Sequence, residues 1–246
     1  MNDNYNNGRP IKMYKIPEED REKAAKDFSE GSPELEKCLR ILWDNSLYTT
    51  ACCRGDHLEA KETIYGNSDI HVSWIGYISF APGIDVFKYL SPEVINNRNI
   101  MLEQGKIGDE NMQTIRFFCS ETTPLLFEKI GYDVLTGEKD NRRELADKVQ
   151  PILHGIPREL DEAAKEYVLR KNGLDDEKIK EFRLSEDRFY EAFKEIRNME
   201  EGTQEYNDKL TELAIAKGNI DRILIPYAKT NNNTSYNEEV NIGISK

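Results

Sequence analysis

Apolar positions fall into two regimes along this chain. As far as residue 155 they alternate between helical stripes and short strand-like runs, and beyond Pro157 they recur at helical spacing alone. Glu18 to Phe28 reads as a short charged helix. A stronger start follows at Ser32-Pro33, a hydroxyl at the N-cap and a ring at the first helical position. Leu35, Cys38, Leu39, Leu42 and Trp43 then lie at i, i+3, i+4, i+7 and i+8, a single apolar stripe in which Cys38 acts as a small hydrophobe. Leu47 to Cys53 reads as a strand, and His71 to Phe80 as a second. On the second, Val72, Trp74, Ile78 and Phe80 share one face while Ile75 and Tyr77 share the other. Gly76 in its middle points to a bulge or to the close approach of another backbone.

Ser91-Pro92 predicts a helix carried through Val94, Ile95 and Leu102 to Gly105. Asn111 to Cys119 predicts the third strand, Thr123-Pro124 opens another helix, and Asn141 to Leu153 predicts a further one ended by Pro151. A weak alternation at Ile11, Met13 and Ile16 marks a fourth strand near Arg9 to Tyr14. The order α-β-β-α-β-α predicts an α+β fold, a small mixed sheet with flanking helices. After Pro157, three stripes predict a helical extension: Leu160 to Val168, Ile179 to Ile196, and Tyr206 to Ala214 with Thr203 as an N-cap. The expected organisation is a mobile segment over 1–30, an α+β domain over 31–155, the helical extension over 156–229 and a disordered tail over 230–246.

Composition narrows the functional classes. A net charge of −12 creates a field that repels phosphate backbones, which disfavours nucleic acid as a partner. No apolar run approaches the ~20 residues of a membrane-spanning helix. The first residues lack the basic and apolar regions of a secretion signal. Four cysteines in 246 residues form no disulfide framework. A cytoplasmic protein with reduced thiols is expected.

Candidate chemistry gathers at the end of the first strand, in Thr49-Thr50-Ala51-Cys52-Cys53-Arg54-Gly55-Asp56-His57. A strand that ends at a glycine turn delivers its last side chains into a crevice where many such sheets bind ligands. Gly55 permits a positive φ, and Arg54 with neighbouring amides suits an anion. Thr49, Thr50, Arg54, Gly55 and Asp56 are therefore the expected ligand-binding residues, with Cys53 and His57 nearest any reaction. A thiolate–imidazole pair from Cys52 or Cys53 with His57 or His71 is one chemistry these residues allow. A zinc site drawing on Cys52, Cys53, Cys119, His57 and His71 has suitable donors but no paired spacing, so no metal is assigned. Phosphate-loop, dinucleotide-fold and nucleophile-elbow motifs are absent, and no cofactor is identified. His154, before Gly155, reads as a residue at a helix C-terminus.

With the preceding helix, Tyr48-Thr49-Thr50-Ala51-Cys52-Cys53-Arg54-Gly55 resembles a segment of the wybutosine-synthesising, Tyw3-like methyltransferases. Thr49, Thr50, Cys53 and Gly55 fall on that family's positions, whereas Ala51, Cys52 and Arg54 replace small hydroxyl residues. The resemblance implies an α+β fold and S-adenosylmethionine-dependent methylation of a tRNA base. Two functions are carried forward. One is a pocket for a small anionic ligand, binding or catalytic, at the end of the Leu47–Cys53 strand. The other is a non-enzymatic acidic inhibitor or adaptor from a mobile element, engaging a basic protein through its helical half. That helical half also offers a face for oligomerisation.

Overall fold

The Ser32 hydroxyl accepts from the Leu35 amide at 3.2 Å, satisfying one of the free donors at a helix N-terminus. The computed structural model of the chain describes residues 5–6, 9–10, 15–62, 68–152 and 155–230. It begins with β1 (Tyr5–Asn6), β2 (Arg9–Pro10), α1 (Arg21–Phe28), α2 (Pro33–Asp44), β3 (Thr49–Cys53), β4 (His57–Glu62), β5 (Ser68–Ser73) and β6 (Ile75–Phe80). It continues with α3 (Pro92–Ile95), β7 (Ile100–Ile107), β8 (Glu110–Phe118), α4 (Thr123–Leu135), α5 (Arg142–Ala146) and β9 (Val149–Pro151). It closes with α6 (Arg158–Lys171), α7 (Asp176–Ile196), α8 (Gln204–Leu224) and β10 (Lys229–Thr230). The fold is α+β with a C-terminal helical region, as the pattern predicts.

Two compact units emerge. The first holds the described residues of 1–56 and 73–168, and the second those of 57–72 and from 169 onward. The line expected between residues 155 and 156 is thus not the one the contacts draw. Ala164 and Val168 of α6 are buried with Met101, Phe118 and Cys119, so this stretch of α6 covers the first unit's sheet instead of joining an appendage. Within 1–30, α1 is packed: Ala25 is buried in the main core, and the Phe28 ring meets Trp43 edge-on at 6.4 Å.

In the first unit the sheet order is β3-β6-β8-β7-β9, with β7–β9 parallel and the other pairs antiparallel. Ile78, Phe80, Leu102, Ile115 and Phe117 pack under Leu35, Leu39, Leu42 and Trp43 of α2 and Leu126, Phe127 and Ile130 of α4. The opposite sheet face is different. Cross-strand register there sets Cys53 beside Tyr77, Tyr77 beside Arg116, and Arg116 beside Met101. The next row runs Ala51, Ser79, Thr114 and Glu103.

Four predicted elements differ. The helix expected from Ser91-Pro92 to Gly105 ends at Ile95, and Ile100 to Ile107 is a strand. A strand covered on both faces shows a continuous apolar run, which periodicity alone cannot tell from a helix. The Asn141–Leu153 helix is short, closing at Ala146 before strand β9. The long strand to Phe80 is two, broken at Trp74, whose indole donates to Asp161 at 2.9 Å. The fourth strand near Arg9 reduces to Arg9–Pro10, paired with β1; residues 11–14 lie outside the described set, as do 231–246, His154 and the His71 side chain.

In the second unit, β10-β4-β5 form a small sheet. Leu58 shares a buried cluster there with Leu169, Leu174, Ile179, Phe182, Ile223 and Leu224. Thr203 caps α8 as predicted, accepting from Tyr206 N at 3.2 Å, and Asp175 caps α7. No described helix is long and apolar enough to cross a membrane.

Candidate functional site

The strand exit is built from two crossing turns. Gly55 has φ +69° and Asp56 φ +56°; opposite them Glu30 has φ +52° and Gly31 φ +81°. A left-handed backbone at Glu30 and Asp56 costs free energy that surrounding contacts must offset. One such contact is the Glu30 carboxylate, which accepts from Arg54 N at 3.0 Å. Gly55 is needed for a closer reason. A Cβ there lies 2.5 Å from Cys119 Sγ and 2.6 Å from Gly76 N, and a Cβ on Gly76 lies 2.6 Å from Arg54 O. The close approach expected at both glycines is therefore of one backbone to another, β3's exit over the start of β6.

Around this crossing the predicted residues divide. Arg54 Nε lies 3.3 Å from Asp56 Oδ1, yet this buried nitrogen makes no hydrogen bond, so the guanidinium is held by charge alone. Cys53 is buried; its Sγ accepts from Gly55 N at 3.3 Å and lies 3.7 Å from Ser73 Oγ. Thr49 and Thr50 sit at the other end of the strand, four and three residues before Cys53, roughly 10–13 Å away at about 3.3 Å per residue. Their hydroxyls serve the fold: Trp43 Nε1 donates to Thr49 Oγ1 at 3.1 Å, and Thr50 Oγ1 donates to Ser79 O at 3.4 Å. His57 opens β4 and is buried. Cys53 and His57 belong to different compact units, so neither unit by itself holds the pair.

The thiols are unsuited to nucleophilic attack. Burial pushes Cys53 up to about 11, with the Glu30 charge adding to the effect. Burial likewise pushes Cys38, Cys52 and Cys119 up to about 12. All four keep their protons at neutral pH, and nucleophilicity belongs to the thiolate. Cys52 points to the other face of β3 and contacts Phe28 O at 3.5 Å, so it cannot share a site with Cys53. Cys53 and Cys119 flank Gly55, two of the four donors a structural zinc site takes.

These shifts predict a pH dependence. Unfolded thiols ionise near 9.0, while the folded ones hold their protons to about 11 or 12. The folded pKa lies above the unfolded one, so this contribution to stability is complete below pH 9 and lost as pH rises through the folded values. Urea unfolding on either side of pH 9 should show lower stability on the alkaline side, and replacing the four cysteines by alanine should flatten that fall. An unchanged slope in the alanine variant would contradict the assignment.

A second group, missed in the sequence, lies on the same sheet face. Glu103 of β7 is fully buried, and its Oε2 accepts from Arg116 Nε at 2.7 Å. Its Oε1 is buried with no hydrogen-bond partner. Arg116 keeps 24% of its side chain exposed, and its two Nη groups make no hydrogen bond to any described residue. Beside it is Tyr77, half-buried, whose hydroxyl also makes none. Burial raises the Tyr77 pKa, which keeps the hydroxyl a donor. A guanidinium fixed through Nε presents its fork in one orientation, the geometry that takes a carboxylate or phosphate bidentately. The signal in sequence was only an Arg inside the predicted Asn111–Cys119 strand, where charges are rarely buried unless paired; Glu103 fell in a stretch read as helix.

No family model, curated protein or solved structure matches the chain.

Proposed function

We propose that the α+β unit binds a small anionic molecule on the sheet face bearing Cys53, Tyr77 and Arg116, near the end of β3. The observation that carries this reading is the unpaired fork of Arg116, anchored at 2.7 Å on fully buried Glu103. Burying an ion pair seldom adds stability over an apolar pair of the same shape. Its retention is therefore better explained by what the guanidinium is held ready to meet. Tyr77 supplies a neutral donor in the same row, and Arg54 a second cation at the strand exit. A thiolate role for Cys53 is not included, because the thiol is protonated at neutral pH.

Thermal unfolding with inorganic phosphate, succinate, adenosine monophosphate and S-adenosylmethionine tests this reading. The last is included because of the Tyr48–Gly55 resemblance. A ligand that binds only the folded state adds about 2.7 kcal/mol at a hundred times its Kd. At least one anion should raise the midpoint, and Tyr77→Phe and Arg54→Met should reduce that rise. No response to any of the four would refute it.

A second reading, an adaptor that engages a basic protein, is favoured by the α7–α8 hairpin. Leu184, Tyr190, Phe193 and Ile215 are all more than two-fifths exposed there, among acidic residues such as Glu191, Glu195 and Glu212. Exposed apolar side chains gathered on one hairpin mark interaction surfaces. A hairpin carrying Tyr190→Ser and Phe193→Ser should lose that partner while leaving anion binding intact.

A further inference from the structure

A cleft of about 440 Å³ opens on the first unit beside the β7–β8 hairpin, with Ile84, Phe87, Leu145 and Val149 among its walls. Its polar lining is organised by one side chain. Gln113 is 3% exposed, and its Oε1 accepts from both Val86 N at 2.9 Å and Phe87 N at 3.1 Å. Two backbone donors fix which end of this amide is oxygen. Its Nε2 must therefore donate, and it does so to Asp85 Oδ1 at 2.9 Å and to Gln104 Oε1 at 3.0 Å. Both lone pairs of its oxygen and both hydrogens of its nitrogen are then used.

Asp85 and Gln104 are thereby held side by side in set orientations. Gln104 spends its oxygen on Gln113, which leaves Nε2 as a donor with no partner among the described residues. Asp85 spends one oxygen, which leaves Oδ2 as an acceptor in the same situation. Arg142, ion-paired with Asp140 at 3.2 Å, and Asn111 complete the polar rim, and between them the cleft offers one acceptor next to one donor above an apolar floor. An anion is repelled by Asp85. A cation has no lone pair for the Gln104 amide. A neutral group with a donor beside an acceptor satisfies both.

We propose that this cleft is a binding site for such a group, either the vicinal diol of a sugar-like polyol or a carboxamide. It is independent of the anion reading and lies on residues that reading does not use. Gln113 is a positioning residue: it touches no ligand and aims the two that do.

Nuclear magnetic resonance titration with methyl α-D-glucoside and, separately, with propionamide tests the proposal, reading the backbone amides of Gly83 and Asn111 at the cleft. At least one probe should shift these signals saturably. Asp85→Ala and Gln104→Leu should each weaken that probe about tenfold, the effect of losing one of two hydrogen bonds. Asp85 is exposed and Gln104 half-buried, and Asp85→Asn, which keeps an acceptor for Gln113, guards against loss of the local fold. A response to the glucoside alone assigns the polyol class, and a response to propionamide alone assigns the carboxamide class. No saturable shift with either probe, or equal affinity in Asp85→Ala and Gln104→Leu, would overturn the site.

Discussion

Gly55→Ala should destabilise the α+β unit by about 3 kcal/mol, the upper part of the usual range for a single substitution. Two costs combine. An alanine at φ +69° leaves the region that L-residues occupy readily, worth about 1–2 kcal/mol. The added Cβ then lies 2.5 Å from Cys119 Sγ and 2.6 Å from Gly76 N. The sulfur is on a side chain that can turn, but the nitrogen belongs to a backbone paired within the sheet, so the β3–β6 crossing itself must open. Gly137 is the matched control, with φ +88° and nothing within 4 Å of its added Cβ. Gly137→Ala should cost only the conformational part. Urea unfolding of both variants separates the two costs, and equal destabilisation would show that the crossing is looser than described.

Arg116→Met should cost about 3 kcal/mol for a different reason, since removing one partner of a buried pair leaves a charge with nothing to offset its desolvation. Glu103 is 1% exposed in its side chain and has one oxygen without a donor already. The double variant Glu103→Leu/Arg116→Met removes both charges and should recover most of that loss. If the single and double variants are equally unstable, the pair's role is packing of the Arg116 stem and not charge compensation. The same double variant also separates folding from binding, because it restores a stable sheet that lacks the fork.

Much of the first unit could be read before the structure. Ser32-Pro33 and the Leu35–Trp43 stripe located α2, since capping and helical spacing are local properties of the chain. The Thr49–Cys53 strand and its glycine exit were legible for the same reason, as was the opposition of Cys52 and Cys53 across the strand. The strand Ile100–Ile107 was not, because Ile100-Met101-Leu102 continues an apolar run behind a valid helix start. Strand His57–Glu62 carries too few apolar residues to alternate visibly, and its pairing with β10 lies far along the sequence.

The site divides along the same line. Arg54, Gly55 and Asp56 were found because a turn announces itself in adjacent residues. Tyr77, Glu103 and Arg116 were missed because register between strands decides which side chains become neighbours, and nothing local encodes it; Glu30 was missed because its turn reaches Arg54 across 24 residues of sequence. The Thr49 and Thr50 hydroxyls were placed at the site because they precede it in sequence, while strand rise carries them away from it.

A fork of Arg116 held on Glu103 to meet an anion must lose its ligand when both side chains are replaced. Calorimetric titration of the wild-type chain and of Glu103→Leu/Arg116→Met with inorganic phosphate and with succinate tests it most directly. Saturable heat with at least one anion in the wild type, absent in a double variant of comparable stability, is the predicted result. Equal heats in the two proteins, or none in the wild type, would contradict it.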